Sequence, residues 1–403
     1  MRLALAAALL LTCADTGWAK DPVYRLSIGD PARKDKDAAV TLDAITDTAT
    51  GETIAPAELG ARLGKARLVL VGETHTSVES HRVELQVIKA LAEAGRHVTI
   101  ALEMFPYPSQ PALDAWNQGA ESEADFLASS HWYDAWGYHW GYYRDIFLFA
   151  RDHRFPFVAV NAPRDVVTAV RQKGLASLPA DQSAHFPPKI DMSSADHMTF
   201  FKASFDEGDA MHGGMTDAAW TSMLSAQATW DGTMAWNAVK ALERLGDDPK
   251  AAVVVLVGSG HVAYGLGIER QARTYFAGPI ASVIAMPIAD DKGAPTPLVR
   301  ASYANFIWGV AREADSCWPS LGASTRAAEN GRRAIIDVEK DTPAAAAGLQ
   351  VGDVIASIDG AAIDNRETLN RVLAGYRWGD TPTFVVSRAG ADVRVTVPLR
   401  RRP

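Results

Sequence analysis

Apolar residues occur along the chain in two alternating patterns, short continuous runs and longer stretches with a helical repeat. A short apolar run is typical of a buried strand, whereas apolar residues three and four positions apart predict an amphipathic helix. The predicted strands cover residues 67–71, 97–102, 156–160, 252–257 and 280–286, and the predicted helices cover residues 78–94, 111–129, 143–153, 164–173 and 216–245. This alternation predicts an α/β fold, a mainly parallel sheet with helices on both faces.

Polar side chains stand at the ends of four of these strands. Two of the strands end in the same pattern, Gly-x-x-His, at residues 72–75 and 258–261. The polar residues at the strand ends are Glu73, His75, Glu103, Asn161 and His261. In a parallel sheet, ligands bind beyond the carboxyl ends of the strands. The sequence therefore predicts that these residues meet at one edge of the sheet, which we call the rim.

Two kinds of chemistry are open to Glu73, His75, Glu103 and His261. Two imidazoles and two carboxylates can hold a divalent metal ion and leave a position for water, as in a metal-dependent hydrolase. Without a metal, His75 could act as a general base that a carboxylate orients. The alternative is a buried network in which these groups only satisfy one another's hydrogen bonds. The glycines favour a functional site, because they let the chain turn sharply and expose the side chains after them.

The C-terminal part of the chain has a different pattern and contains no histidine. Ala-Gly-Leu at residues 347–349 is followed by Gly-Asp-Val-Ile at 352–355 and Ile-Asp-Gly at 358–360. This run resembles a bacterial PDZ domain, a small β-rich domain with two helices, which would occupy residues 317–403. PDZ domains bind the C-terminus of a peptide by strand addition. The resemblance implies a carboxylate-binding loop that includes Leu321, Gly322 and Ala323, unless the domain only packs against its neighbour.

The first part of the chain carries an ordered set of short motifs. They are Val-Gly-Glu-Thr-His (71–75), Ala-Leu-Glu-Met-Phe (101–105), Val-Asn-Ala-Pro (160–163), Ala-Gln-Ala-Thr-Trp-Asp-Gly-Thr-Met-Ala (226–235) and Gly-Ser-Gly-His-Val (258–262). In order and spacing they resemble the ChaN-like haem-binding uptake family of the Tiki superfamily, over residues 66–287. Residues 20–65 are then an N-terminal lead-in and residues 288–316 a linker. The sequence departs from the family at Gly232, where an acidic residue usually follows Asp231.

The resemblance implies a bacterial envelope protein that binds haem and takes part in haem or iron uptake. For this family, two copies that share haems would be natural, which implies a homodimer. The wider superfamily also contains metal-dependent hydrolases. The resemblance therefore leaves the hydrolase interpretation of the rim open as the alternative function.

An aromatic segment, residues 131–143, contains three tryptophans, four tyrosines and two histidines. Haem needs an apolar slot and an axial ligand from His, Tyr, Met or Cys. Trp132, Trp136 and Trp140 lie four residues apart and would share one helical face. The candidate haem ligands are Tyr138, His139, Tyr142 and Tyr143 in this segment and His197 and His212 in the Met- and His-bearing stretch 179–215. The alternative is an aromatic stripe in the hydrophobic core.

The N-terminus has the pattern of an export signal at residues 1–19. Arg2 precedes an apolar run at residues 3–11, and small residues at 17–19 offer a cleavage site. Residues 10–13 also resemble a lipoprotein box, which would attach the protein to a membrane through a lipidated Cys13. We therefore expect an exported protein of the periplasm or cell envelope.

Charge and cysteine content narrow the function classes further. The formal net charge is −8, and the basic run at residues 400–402 is too short to mark a nucleic-acid surface, so no nucleic-acid partner is expected. Cys13 and Cys317 are the two cysteines of the sequence. Once the signal is removed, an internal disulfide and a thiolate metal cluster are both excluded.

Overall fold

The computed structural model describes residues 22–204, 215–290, 293–313, 315–328 and 331–401. The predicted export signal with Cys13 and the candidate haem ligand His212 lie outside the described residues. In the described part of the chain, no helix combines the length and apolar character needed to cross a membrane.

An eight-stranded sheet forms the centre of the first domain. The strands of this domain are β1 (Asp37–Ala39), β2 (Ile45–Asp47), β3 (Glu52–Ile54), β4 (Leu68–Glu73), β5 (His97–Pro106), β6 (Phe157–Asn161), β7 (Ala251–Gly258), β8 (Ile280–Pro287), β9 (Leu298–Arg300) and β10 (Phe306–Val310). The order in the sheet is β3-β2-β10-β8-β4-β7-β5-β6, and β1 pairs separately with β9. The strands from β10 to β6 in this order are parallel, whereas β2 and β3 are antiparallel.

Helices cover both faces of this sheet because its strands are apolar on both sides. The helices of the domain are α1 (Leu59–Arg62), α2 (Val78–Glu93), α3 (Gln110–Asn117), α4 (Glu123–Ser129), α5 (Trp132–Ala135), α6 (Arg144–Asp152), α7 (Arg164–Lys173), α8 (Ala180–Ser183), α9 (Ala195–Ser204), α10 (Asp217–Arg244) and α11 (Ile268–Ala272). In β4, Val69 and Val71 pack in one core with Val83 of α2. Leu68 and Leu70 pack in a second core with residues of α10. The predicted α/β architecture is confirmed.

Several predicted elements differ from the structure. Strand β5 continues to Pro106, so Glu103 lies inside the strand rather than after it. The predicted helix over residues 111–129 is two helices, because the chain turns at Gly119 with a φ of 68°. The aromatic segment is not one helix either, since α5 ends before Gly137, whose φ is 91°. Its three tryptophans therefore do not share a helical face.

The interpretation of residues 288–316 as a linker is wrong for much of its length. Strand β10 lies inside the main sheet between β2 and β8, and all five of its residues are buried. Strand β9 pairs with β1 of the N-terminal lead-in. Part of the lead-in, β2 and β3, also extends the main sheet. The first domain therefore includes chain on both sides of the predicted boundaries, because these short strands complete one edge of its sheet.

The C-terminal domain is an antiparallel sheet with two helices, as its sequence predicts. Its elements are β11 (Ala323–Ala327), β12 (Arg333–Val338), α12 (Pro343–Ala347), β13 (Val354–Ile358), β14 (Ala361–Ala362), α13 (Arg366–Leu373), β15 (Thr383–Arg388) and β16 (Ala391–Thr396). The strand order is β11-β12-β13-β15-β16, with β14 on β13. Strand β11 is therefore an edge strand, and its outer backbone edge is available to a further strand.

Candidate functional site

Adjacent parallel strands bring the rim residues together. Strand β4 ends at Glu73, and its neighbour β7 ends at Gly258. Glu103 of the next strand, β5, accepts a hydrogen bond at Oε2 from the Gly258 N–H at 2.7 Å, and its Oε1 lies 3.3 Å from Nε2 of His261. A Cβ atom at position 258 would come within 3.0 Å of the His75 ring. The predicted meeting at one edge is observed, and a glycine makes room for it.

His75 is the most accessible ionisable group of this set. Its side chain is 27% exposed, compared with 13% for His261 and 9% for Glu103. Its Nδ1 lies 2.7 Å from Oε1 of the buried Glu73, so Nδ1 donates to the carboxylate and Nε2 is not held by it. Burial works against the charged ring, but the carboxylates of Glu73 and Glu103 raise the pKa of His75.

A second, fully buried layer lies beneath His75. Glu73 Oε2 is 2.9 Å from Nδ1 of His81, and Glu84 Oε2 is 2.7 Å from the same nitrogen. The Tyr143 hydroxyl donates to Glu73 Oε1 at 2.9 Å. Burial opposes ionisation of Glu73, but the neighbouring His81 and His75 lower its pKa to about 2. Burial and the charge of Glu73 raise the pKa of Glu84 to about 8.

His261 is held on both ring nitrogens and does not join a metal-binding set among the described residues. Its Nδ1 lies 2.5 Å from Oδ1 of the fully buried Asp231, while Nε2 faces Glu103. Although burial disfavours the charged ring, the two carboxylates raise the pKa of His261 to about 10. At neutral pH it is therefore an imidazolium without a free lone pair. His261 as a metal ligand therefore stays a prediction, and in this arrangement carboxylates face both of its ring nitrogens.

The position after Asp231 is tightly packed, so a side chain larger than that of glycine would require Ile190 to shift. A Cβ atom at Gly232 would already lie 3.1 Å from Ile190. His197, a predicted haem ligand, is 1% exposed and lies 4.0 Å from Asp231. Arg270 donates to its Nδ1 at 3.2 Å. His197 is thus enclosed in this cluster, and haem could not reach it without rearrangement of its neighbours.

Asn161 supports the backbone rather than facing a ligand. Its Nδ2 donates to the Glu103 carbonyl at 2.9 Å, and its Oδ1 accepts from the Ala162 N–H at 2.8 Å. These bonds tie the end of β6 to β5. The Asn161 side chain therefore fixes the position of the Glu103 backbone at the rim.

The predicted aromatic ligands separate into two groups in the structure. Tyr143 is buried against Glu73, while Tyr138 lies beside His75 with ring centroids 5.0 Å apart. Trp136 meets the same imidazole edge-on at 4.7 Å. Burial raises the pKa of Tyr138 and of Tyr143, so neither is a ready tyrosinate ligand for iron. Trp136 and Tyr138 instead form an aromatic wall beside the accessible imidazole.

His139 and Tyr142 face the C-terminal domain instead of the rim. His139 Nε2 donates to the Ala374 carbonyl at 3.1 Å, and its Nδ1 accepts from the Gly141 N–H at 2.9 Å. Its ring stacks on Trp318 at 4.1 Å, and Tyr142 meets the same indole at 4.4 Å. Because both nitrogens of His139 are engaged, the prediction that it ligates haem is not supported by this geometry.

The predicted carboxylate-binding loop borders a cavity of about 260 Å³ between β11 and α13. Leu321, Gly322 and Ala323 line one side, and Leu369 and Leu373 of α13 line the other. The aromatic segment forms a further wall through residues 137–139. We call this cavity the groove. Its position matches the predicted peptide site, and it touches the first domain directly.

The far end of the groove is closed by contacts between the two domains. Arg366 of α13 donates to the backbone carbonyls of Asp134 and Trp136, the second at 3.1 Å. Asn370, one turn later, donates to the Tyr133 carbonyl at 2.8 Å. The aromatic segment is thus fixed on one side to the groove and on the other to His75.

The buried layer predicts an unusual dependence of stability on pH in metal-free protein. Glu73, with its lowered pKa, stabilises the fold above pH 4.5 and loses that contribution as the pH falls toward 2. Glu84 holds its proton in the folded state up to about pH 8, so stability falls as the pH rises from 4.5 to about 8. We expect the contribution of this layer to be greatest near pH 4.5. Thermal unfolding in chelator from about pH 3 to about pH 9 measures it. Glu84→Gln should reduce the decline on the alkaline side, while His81, whose pKa Glu73 also raises, keeps part of the decline above pH 6.5.

Sequence patterns missed two residues of this region. Glu84 lies three residues after His81 on the buried side of α2, and that spacing is the signal that could have found it. Trp318 lies beyond the aromatic segment in sequence but fills the space above Gly141, where a Cβ atom would be 2.2 Å from its indole. No local pattern predicts that contact.

Two family models match this chain. The family described as haem-binding uptake, Tiki superfamily, ChaN matches residues 59–271. A PDZ domain model matches residues 319–399. The two matches cover the two domains of the structure in the order that the sequence predicts.

Curated relatives share short stretches with the chain. A putative zinc metalloprotease of Mesorhizobium japonicum is 44% identical over 62 residues, which are 15% of this chain and 17% of that protein. A Do-like HtrA serine protease of Lactobacillus helveticus is 37% identical over 62 residues, 15% of each protein. The chain therefore spans less than a fifth of the length of these relatives.

Solved structures also match parts of this chain. The structure titled cofacial heme binding to ChaN of Campylobacter jejuni has a TM-score of 0.49 and 18% identity, and the match covers 68% of this chain and 96% of that chain. The HtrA-type protease AlgW with a decapeptide has a TM-score of 0.21 and 22% identity, covering 29% of this chain and 40% of that chain.

Proposed function

The chain belongs to the ChaN family of haem-binding uptake proteins in the Tiki superfamily, and from this premise we propose that it binds haem in haem or iron uptake. The observation that supports the proposal is the hydrogen bonding and exposure of the His75 ring. One nitrogen is held by a buried carboxylate, and the other is free of it on a partly exposed ring. The export pattern at residues 1–19 supports a place in the periplasm or cell envelope.

The residues beside His75 fit a haem group. Histidine is a common axial ligand of haem iron, and a carboxylate on its second nitrogen fixes the tautomer and increases its basicity. Glu73 provides that carboxylate. Trp136 and Tyr138 provide flat aromatic surface next to the imidazole. His75 would therefore hold the iron, with the two aromatic rings excluding water from one side.

Titration of the full-length protein with hemin tests the proposal. We expect a saturable shift of the Soret absorbance, with a defined stoichiometry. Sedimentation of the loaded protein would show whether two copies share haem, as the family resemblance implies. If the spectrum of hemin with the protein is identical to that of hemin in buffer alone, the proposed function is contradicted.

A metal-dependent hydrolase is the second candidate, and one observation favours it. Glu73, His75 and Glu103 each offer a ligand atom, and these atoms lie within 4.8 Å of one another. A divalent ion there would have the carboxylate and imidazole donors that suit Zn²⁺ or Mn²⁺. A bound ion that is lost in Glu103→Ala, together with hydrolysis of a peptide or ester substrate, would support this function over haem transport.

We further propose that the groove binds the C-terminus of a partner peptide. Strand β11 has a free edge for strand addition, and Leu321, Leu369 and Leu373 give the cavity an apolar lining. The ligand is then a peptide that ends in an apolar residue. Because Arg366 and Asn370 are bonded to the aromatic segment, only the last few residues of that peptide find room.

A further inference from the structure

Three buried side chains form a cluster beneath the rim, and neither proposed function uses two of them, His81 and Glu84. His81 and Glu84 lie one turn apart on α2, and Glu73 ends β4. Their side chains are 4%, 0% and 0% exposed, respectively. One ligand atom from each lies within 4.8 Å of the others. The cluster shares Glu73 with the rim: Oε1 of that carboxylate faces His75, and Oε2 faces His81.

The hydrogen bonds of His81 define which atoms converge. Its Nε2 lies 3.2 Å from the backbone carbonyl oxygen of His75, which can only accept, so Nε2 carries a hydrogen. In the neutral ring Nδ1 then presents a lone pair. That nitrogen faces Oε2 of Glu84 at 2.7 Å and Oε2 of Glu73 at 2.9 Å. In metal-free protein, protons on His81 and Glu84 separate these atoms: although burial opposes the charged ring, Glu73 and Glu84 raise the pKa of His81 well above 6.5, and Glu84 keeps its proton to about pH 8. A divalent ion coordinated by the three atoms would take the place of these protons.

The two carboxylates have only histidine as a cationic partner. In the described part of the chain, neither Glu73 nor Glu84 forms an ion pair with a lysine or arginine. Glu84 Oε1 is buried without a hydrogen-bond partner among the described residues, and Glu73 Oε2 has only its 2.9 Å contact with Nδ1 of His81. A buried carboxylate oxygen without a hydrogen-bond donor destabilises the folded protein, and two such oxygens close together are rare in protein interiors. A bound cation would satisfy both.

We propose that Glu73, His81 and Glu84 bind a divalent metal ion, in a buried site distinct from the rim. One imidazole nitrogen with carboxylate oxygens is a donor set suited to Mn²⁺, Fe²⁺ or Zn²⁺. The neighbouring groups are those that orient metal ligands: His81 donates its other N–H to a backbone carbonyl, and Tyr143 donates to Glu73. The ion fixes Glu73 and, through it, the ring of His75.

Metal content and Mn²⁺ binding of the full-length protein test this site. Protein purified without chelator is analysed by mass spectrometry for metals, and then dialysed against Mn²⁺ with electron paramagnetic resonance as the readout. We expect about one ion per chain in the wild type and a rise of Kd by about tenfold to a hundredfold in Glu84→Gln. Glu93→Gln, at an exposed position of the same helix, is the matched control and should bind as the wild type does.

Two further variants make the outcome decisive. Glu103→Gln distinguishes this site from the rim: an ion bound by Glu73, His81 and Glu84 is kept in this variant, whereas an ion bound by Glu103 at the rim is lost. His81→Gln should weaken binding as Glu84→Gln does, with folding of each variant checked by circular dichroism. The proposal is overturned if the wild type holds no ion, if folded Glu84→Gln and His81→Gln bind normally, or if Glu103→Gln loses the ion equally.

Discussion

Replacing His75 by Ala is expected to weaken hemin binding by roughly two orders of magnitude, which corresponds to about 2.8 kcal/mol. The reason is that His75 is the imidazole of the rim with a nitrogen left free by its carboxylate partner. Of the other described histidines considered from sequence, His139 and His261 have both ring nitrogens engaged by neighbouring groups. His197 is 1% exposed, and its Nδ1 accepts from Arg270, while His212 lies outside the described residues. Removing His75 therefore removes the iron ligand while Glu73 keeps its bonds to other residues.

Soret titrations of the variant measure this loss, and His97→Ala is the matched control. His97 begins β5 at the opposite end of the strand, and its side chain is 66% exposed. We expect His97→Ala to bind hemin as the wild type does. If His75→Ala keeps the Soret shift and Tyr138→Phe abolishes it, the ligand is the tyrosine and the assignment of His75 is wrong.

The affinity for hemin is also expected to rise with pH. Glu73 and Glu103 raise the pKa of His75 above its ordinary value of 6.5 and oppose the effects of burial and of His261. The iron must displace the proton from the imidazole, so binding is weakest below that pKa and strengthens as the pH rises through it. Titrations at several pH values check this sign, and an affinity that falls with pH would contradict the assignment.

Replacing Arg366 and Asn370 together by Ala is expected to tighten binding of a C-terminal peptide of about six residues by about tenfold, or about 1.4 kcal/mol. These two side chains hold residues 133–136 over the far end of the groove. Their removal releases the aromatic segment, which lines the groove through residues 137–139, and we expect this to widen the space beside β11. A peptide of about three residues should be unaffected, because it reaches only the part of the groove near the carboxylate loop.

Fluorescence anisotropy with peptides that end in an apolar residue measures both affinities. Arg371→Ala is the control, since Arg371 is exposed on the same helix. Equal affinities of the longer peptide for the wild type and the double variant would show that the aromatic segment does not compete for the groove.

The double variant should also alter hemin binding, because Trp136 and Tyr138 of the freed segment contact His75.

Much of the fold was predictable because its signals are local. The apolar runs of β4, β6, β7 and β8 and the spacing of α2 and α10 depend only on neighbouring residues. The run at residues 306–310 has the same character, yet its membership in the main sheet depends on pairing with β8, which is more than fifteen residues away. The sequence therefore predicts most of the parallel strands, but it does not predict β9 and β10, and the predicted domain boundary lies too early.

The sequence predicts that the rim forms, but it does not predict the hydrogen-bond partners of each side chain in it. Parallel strands that end at polar residues determine by themselves that Glu73, His75, Glu103 and His261 meet. Only the tertiary structure decides that His261 is clamped between two carboxylates while His75 keeps a nitrogen free. The physical reason is that a hydrogen-bond partner is chosen by packing between distant segments, whereas strand ends are set by the local pattern. The same reason turns His139 toward Trp318 and buries Glu84 against Glu73, two contacts that no spacing along the chain specifies.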